Sequence, residues 1–212
     1  MSIFKRIFGA AAIARVDSPV PKPAADPGTS PHGETRALAA APQGAPLEAS
    51  SATDILRVDE VADAEFYAGD LFRRRFGHEP PSFPRHYVAF YRASRSSYWP
   101  VGYVHFSEFE DMMLCGGMVI DDRLYRRLPA AHRSLLKQAG GIAEIMLRET
   151  FARLRSAPAI WGYVGDKQAE AVDLRAGFRH THHPHVMVAW NRDLPEAEKA
   201  ARIERVIALG PF

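Results

Sequence analysis

Gln138-Ala139-Gly140-Gly141-Ile142-Ala143 and, downstream, Asp166-Lys167-Gln168-Ala169-Glu170-Ala171-Val172-Asp173-Leu174-Arg175-Ala176-Gly177-Phe178 decide the fold of this chain. The first stretch reads as a glycine-rich turn that opens a helix after a buried strand. Such a turn leaves backbone N–H groups at a helix N-terminus facing an anion, and pyrophosphate is the usual anion. The second reads as the end of a short strand, a helix and a Gly-Phe stop. In this order and spacing the pair points to a phosphorylated carrier held at the edge of a sheet.

Working outward, the pattern alternates between strand and helix. Residues 53–59 suit a first strand through Ile55, Leu56 and Val58. Residues 61–76 suit a helix with Val61, Phe66, Leu71 and Phe72 inward, stopped by Gly77. Residues 86–92 and 99–109 alternate as two strands of a hairpin around 94–97. Residues 112–120 are almost wholly apolar, as a central strand should be. A polar, arginine-rich connection over 121–137 contains a short helix, and 141–154 form the main helix. A buried strand over 159–164, a helix over 167–176 and a closing hairpin of 178–180 with 186–190 follow. The terminal helix covers 194–209, with Asp193 as N-cap and Pro195 in its first turn.

These residues resemble the GCN5-related N-acetyltransferase (GNAT) superfamily over roughly 53–191. The family's pyrophosphate loop has the form Arg/Gln-x-x-Gly-x-Gly/Ala, matched here by Gln138, Gly141 and Ala143. Its later helix has the form Asn-x-x-Ala-x-x-x-Tyr-x-x-x-Gly-Phe, matched in spacing from Asp166 to Phe178, with Asp166 for Asn and Asp173 for Tyr. The resemblance implies an α/β (α+β) fold: a GNAT-like, mixed, mostly antiparallel central sheet flanked by helices. It implies an acyl-CoA thioester, acetyl-CoA or another acyl-CoA, lying where the central strand splays from its neighbour, and no metal. The backbone of 138–143, with Gln138, Ala139, Gly140, Gly141, Ile142 and Ala143, would hold the pyrophosphate, and Met118, Val119 and Ile120 the pantetheine arm. Asp166 would stand near the carrier. In many family members the Tyr protonates the departing thiolate; Asp173 in its place could do so only with a strongly raised pKa.

Other residues carry weaker signals. Within Cys115-Gly116-Gly117 the glycine pair reads as a strand bulge or a close approach by a ligand, against plain core packing. Cys115, in an apolar strand, reads as core rather than nucleophile. Glu108 and Glu110, between two strands, are the candidates for the base that takes the acceptor's proton, against acids in a solvated turn. Arg123, Arg126, Arg127 and Arg133 could bind the carrier's phosphates or form an exposed helix face. His180, His182, His183 and His185 form a histidine-rich hairpin with no nearby Cys, read as loop residues rather than a metal site.

Before the domain, Ile3, Phe4, Ile7 and Phe8 recur at helical spacing with Lys5 and Arg6 opposite. Residues 1–15 are a short amphipathic peptide suited to an anionic membrane surface or a partner, or a frayed tail. Residues 16–52 hold seven of the 16 prolines and no aromatic residue, too little apolar area to offset chain entropy, and read as a disordered tether. The GNAT-like domain is assigned to 53–212.

The 212 residues are 47% hydrophobic, enough for one domain and a tail. A net charge of +2 and no long Lys/Arg block argue against nucleic acid. No apolar run reaches 18 residues. One cysteine excludes an internal disulfide and fits a reducing, cytoplasmic location, with membrane association through 1–15. The function expected is N-acyl transfer from a thioester to a small-molecule or protein amine. The alternatives are long-chain transfer from acyl carrier protein, as in N-acyl amino acid or homoserine lactone synthases, and a non-catalytic GNAT-like interaction module.

Overall fold

A computed structural model of the chain describes residues 47–212. The peptide at 1–15 and most of the tether lie outside the described residues. Leu47 and Ala49 already pack against the core, and the Leu47 carbonyl accepts a hydrogen bond from His132 Nε2 at 2.8 Å.

Where the first strand was expected to start, Ser51-x-x-Asp54 instead makes a one-turn helix, α1 (Ala52–Ile55). Asp54 accepts from the Ser51 amide at 2.8 Å and the Ser51 hydroxyl at 2.9 Å, which holds the turn. Strand β1 (Leu56–Val61) follows, so Val61 belongs to the sheet and not to the next helix.

Helix α2 (Ala64–Phe76) starts at Asp63, whose carboxylate accepts from the Phe66 amide at 2.8 Å, and stops at left-handed Gly77. Its inward stripe is Ala64, Ala68, Leu71 and Phe72, a helical i, i+4, i+7, i+8 series. Phe66 was expected inward; it lies two residues off that stripe and is 57% exposed.

Strands β2 (Arg85–Arg92), β3 (Tyr98–Phe109) and β4 (Met112–Ile120) form an antiparallel meander with β1. The 121–137 connection holds two helices rather than one, α3 (Asp122–Arg127) and α4 (Ala130–Gln138), because Pro129 breaks it. Then come α5 (Ile142–Arg153), β5 (Ala159–Tyr163), α6 (Lys167–Ala176), β6 (Arg179–His180), β7 (Val186–Trp190) and α7 (Glu196–Leu209). Pro195 occupies the α7 N-cap position, so Asp193 does not cap the helix; it pairs with Lys199 at 3.3 Å instead.

Among the described residues seven strands run β1-β2-β3-β4-β5-β7-β6, and of these only β4 and β5 pair in parallel. This is the mixed, mostly antiparallel, GNAT-like sheet that the motifs imply. Alternate residues of β4 and β5 supply opposite faces. Met113 and Ile160 join the core that also contains Met146, Leu147 and Phe178. Met112, Leu114 and Trp161 pack with Val206 of α7. On the α2 side Val88, Tyr103 and Val119 meet Leu71 and Phe72.

Candidate functional site

Strands β4 and β5 pair over three rungs only: Met113 with Ile160, Leu114 with Trp161, and Cys115 with Gly162. Beyond them β5 continues on β7, Tyr163 opposite Val186, while β4 stays on β3, Met118 opposite Val104 and Ile120 opposite Gly102. A gap therefore opens along 116–120, and Met118, Val119 and Ile120 line its β4 side.

The parting has a local cause. Across β3 and β4 the register steps from Val104–Met118 to Phe106–Cys115, so β4 carries one extra residue opposite His105. This is a β-bulge, and Gly116-Gly117 form it as the sequence suggested. A Cβ on Gly116 would overlap the His105 imidazole, and the Gly117 amide donates to His105 Nε2 at 3.3 Å.

The glycine turn lies at the Ile120 end of the gap. A Cβ built on Gly102 would sit 2.8 Å from Ile120 Cδ1 and 3.4 Å from Ile142 Cγ2, which places the start of α5 beside the end of β4. Gly140 and Gly141 have φ of 97° and 93°, a region that side chains rarely adopt. Their own amides are taken up by the end of α4, Gly140 by Lys137 O at 3.1 Å and Gly141 by Leu136 O at 2.8 Å. Their contribution is conformation. The amides that a turn of this kind offers an anion are those of Ile142, Ala143 and Glu144, because Gly141 as N-cap brings no side chain to them. Gln138 is exposed and its amide donates to Ser134 Oγ at 3.3 Å; Ala139 caps α4. The Glu144 carboxylate is buried against Gly140 and pairs with Arg148 at 2.6 Å and Arg175 at 2.7 Å, tying α5 to α6.

Asp166 is the N-cap of α6 and accepts from the amides of Gln168 at 2.9 Å and Ala169 at 2.8 Å. Asp173, two turns on, is 8% exposed. Burial first, then the charges of Asp166 and Glu170, pushes its carboxyl up to about 7. Its charge is felt by Cys115, the β4 residue of the last β4–β5 rung. Burial pushes the Cys115 thiol well up, in keeping with a core cysteine.

Glu108 and Glu110 are not brought to the gap. Glu108 is exposed opposite Met113, where β4 and β5 are still paired, and its charge reaches Arg85. Glu110, at φ 55° in the β3–β4 turn, is ion-paired with Arg205 of α7, and Asp111 beside it pairs with Arg202 at 2.6 Å. This turn lies at the opposite end of β4 from the glycine turn. Glu110→Gln should therefore leave the amine acylation that the motifs imply within twofold of wild type, as read in a steady-state assay. A loss of a hundredfold would return Glu110 to the role of base.

Of the histidines of the last hairpin, His183 and His185 stay together, His183 Nδ1 accepting from the His185 amide at 3.2 Å, and His180 and His182 have separate partners. His180 meets Glu170 at 3.3 Å and His182 meets Glu204 at 3.1 Å, while His185 Nδ1 bonds the Val164 carbonyl at 2.9 Å. Among the described residues no group of three or more His, Cys, Asp or Glu could hold a metal. Arg133 is tied to the carbonyls of Arg126 at 3.0 Å and Leu128 at 2.6 Å, whereas Arg123, Arg126 and Arg127 are exposed.

Two residues were missed by the sequence reading. His86 and His105 are buried in β2 and β3, and His86 Nδ1 bonds Tyr103 OH at 2.8 Å. The available signal was a polar residue inside an otherwise apolar strand segment, Tyr103-Val104-His105-Phe106.

The sheet order, the break between β4 and β5 and the glycine turn before α5 make this a GNAT-like fold. No family model and no curated protein matches the chain. Among solved structures it is similar to an acetyltransferase of the GNAT family from Staphylococcus aureus (12% identity, 65% of this chain and 99% of that one, TM-score 0.38). It is also similar to the ribosomal-protein-S18-alanine N-acetyltransferase of Escherichia coli (10%, 67% and 97%, TM-score 0.37). A third is AAC(6')-Ib in complex with paromomycin and acetyl-CoA (13%, 70% and 98%, TM-score 0.41).

Proposed function

We propose that the chain is an acyl-CoA-dependent N-acyltransferase. The observation that carries this reading is the gap along 116–120, with uncapped helix amides at one end and, felt at the last β4–β5 rung, the charge of a buried, protonatable carboxyl. The amides of Ile142, Ala143 and Glu144 would take the pyrophosphate, where the helix dipole favours negative charge. The free edge of β4 would take the amide groups of the pantetheine arm as a neighbouring strand does.

With the thioester beside the bulge, the acceptor nitrogen attacks its carbonyl carbon. The new C–N bond forms, the C–S bond breaks and the sulfur leaves with the electron pair. Asp173, holding its proton up to about 7, donates it to that sulfur. The proton lost by the amine restores Asp173 through solvent. Attack needs an unprotonated amine and correct alignment, and alignment is the larger contribution of a binding gap.

The test is thermal unfolding of the full chain with free CoA, acetyl-CoA and a long-chain acyl-CoA. A ligand present at a hundred times its Kd stabilises the folded state by about 2.7 kcal/mol. A rise in Tm with all three is expected, and the acyl-CoA giving the largest rise identifies the chain length. No rise with any of them at millimolar concentration would sink the reading.

A further inference from the structure

We infer that His105 is a positioning residue that shapes the backbone facing the acyl group. The inference rests on the acyltransferase reading. His105 sits on β3 opposite the extra residue of β4, at the step immediately beyond the last β4–β5 rung. Its Nε2 accepts the Gly117 amide at 3.3 Å, so in the neutral ring the proton resides on Nδ1. Nδ1 is buried and has no hydrogen-bond partner among the described residues. The ring is packed by Phe72, with centroids 6.0 Å apart, and Tyr103, at 5.8 Å, and a Cβ on Gly117 would lie 3.3 Å from its Cε1.

A leucine or phenylalanine would fill this space without stranding a donor in the core. What histidine adds is a lone pair for the Gly117 amide. That bond takes Gly117 out of the β3 ladder, and the missing Cβ of Gly116 makes room for the ring that does it. The consequence is a turned segment whose edge along 116–120 is left without a β5 partner and free to donate to a carbonyl oxygen lying in the gap. Burial, with the charges of His86 and His78, holds the His105 ring down to about 4, so it remains a neutral acceptor at neutral pH.

The experiment is isotope-edited infrared spectroscopy of acetyl-CoA, labelled with 13C at the thioester carbonyl, bound to the full chain. In the wild type the carbonyl stretch should fall on binding, the signature of polarisation. His105→Leu and His105→Ala should bind CoA within threefold of wild type, yet return the stretch to its value in free acetyl-CoA. His105→Gln, whose side-chain oxygen can accept from Gly117, should recover most of the lowering. A retained lowering in His105→Leu overturns the inference, as does an unshifted band in wild type that binds. Loss of CoA binding in all three variants also overturns it, since the ring would then serve general integrity. Wild type that binds neither CoA nor acetyl-CoA overturns the acyltransferase reading itself, which separates the two failures.

Discussion

The Asp173→Asn variant should unfold at a clearly higher temperature than the wild-type chain at pH 8, and at nearly the same temperature at pH 4. Asp173 is raised from an ordinary 3.8 to about 7 by burial and by the charges of Asp166 and Glu170. In the unfolded chain it ionises near 3.8; in the folded chain it keeps its proton to about 7. Between these values the unfolded state binds fewer protons, so stability falls as pH rises, and above 7 the loss is complete. At about 1.4 kcal/mol for each pH unit the loss amounts to about 4 kcal/mol. Asparagine has no charge to bury and escapes it.

On the proposed acyl-transfer mechanism, the same substitution removes the proton that Asp173 would give to the sulfur. General acid catalysis contributes about 10²- to 10⁴-fold, so kcat at pH 6 should fall by about a hundredfold or more with CoA affinity unchanged. The wild-type decline of kcat above pH 7 should vanish in the variant. An Asp173→Asn chain that keeps wild-type kcat and the same alkaline limb would show that Asp173 is a buried core acid and nothing more.

Gly141→Val should abolish CoA binding, with affinity down at least a hundredfold by calorimetry, while the chain still folds. Gly141 stands at φ 93° and ψ 163°, a region that is almost exclusively glycine's. Nothing lies within 4 Å of a Cβ built there, so the penalty is torsional, about 1–3 kcal/mol, and not steric. Valine relieves the strain by shifting the turn, and a shift of the turn moves the amides of Ile142, Ala143 and Glu144, to which the proposed function assigns the pyrophosphate. Gly77→Ala is the control. Gly77 also has positive φ, 79°, with open space around it, but it caps α2 and is no part of the glycine turn. It should lose about 1 kcal/mol of stability and no CoA affinity. Equal loss of affinity in both variants would mean that instability, and not the turn, governs binding.

Much of the architecture was legible because it follows from short-range physics. Gly77 and Gly177 end helices where left-handed geometry is needed, with φ of 79° and 119°, and only glycine takes it without penalty. The apolar run of β4 and the helix α6 were placed at their observed limits by composition and punctuation alone. The Gly116-Gly117 bulge was readable as a glycine pair, but its partner was not. His105 lies 11 residues before Gly116, and only the β3–β4 register sets it opposite.

The candidate acids show the same division. Glu110, between two strands, and Asp173, within the second motif, are both candidate carboxylates in the sequence. Glu110 is joined to Arg205, 95 positions away, so it is a surface ion pair at the far end of β4. Asp173 is shielded where α6 packs against α5, and that shielding raises its carboxyl to about 7. By itself the sequence determined the order of the strands and of the longer helices, the glycine turn and the α6 motif, since periodicity, caps and backbone freedom act within a few residues. Only the tertiary structure decided where β4 leaves β5, which amides remain uncapped, and which carboxyl holds its proton. Strand register and desolvation are set by residues far apart in the chain.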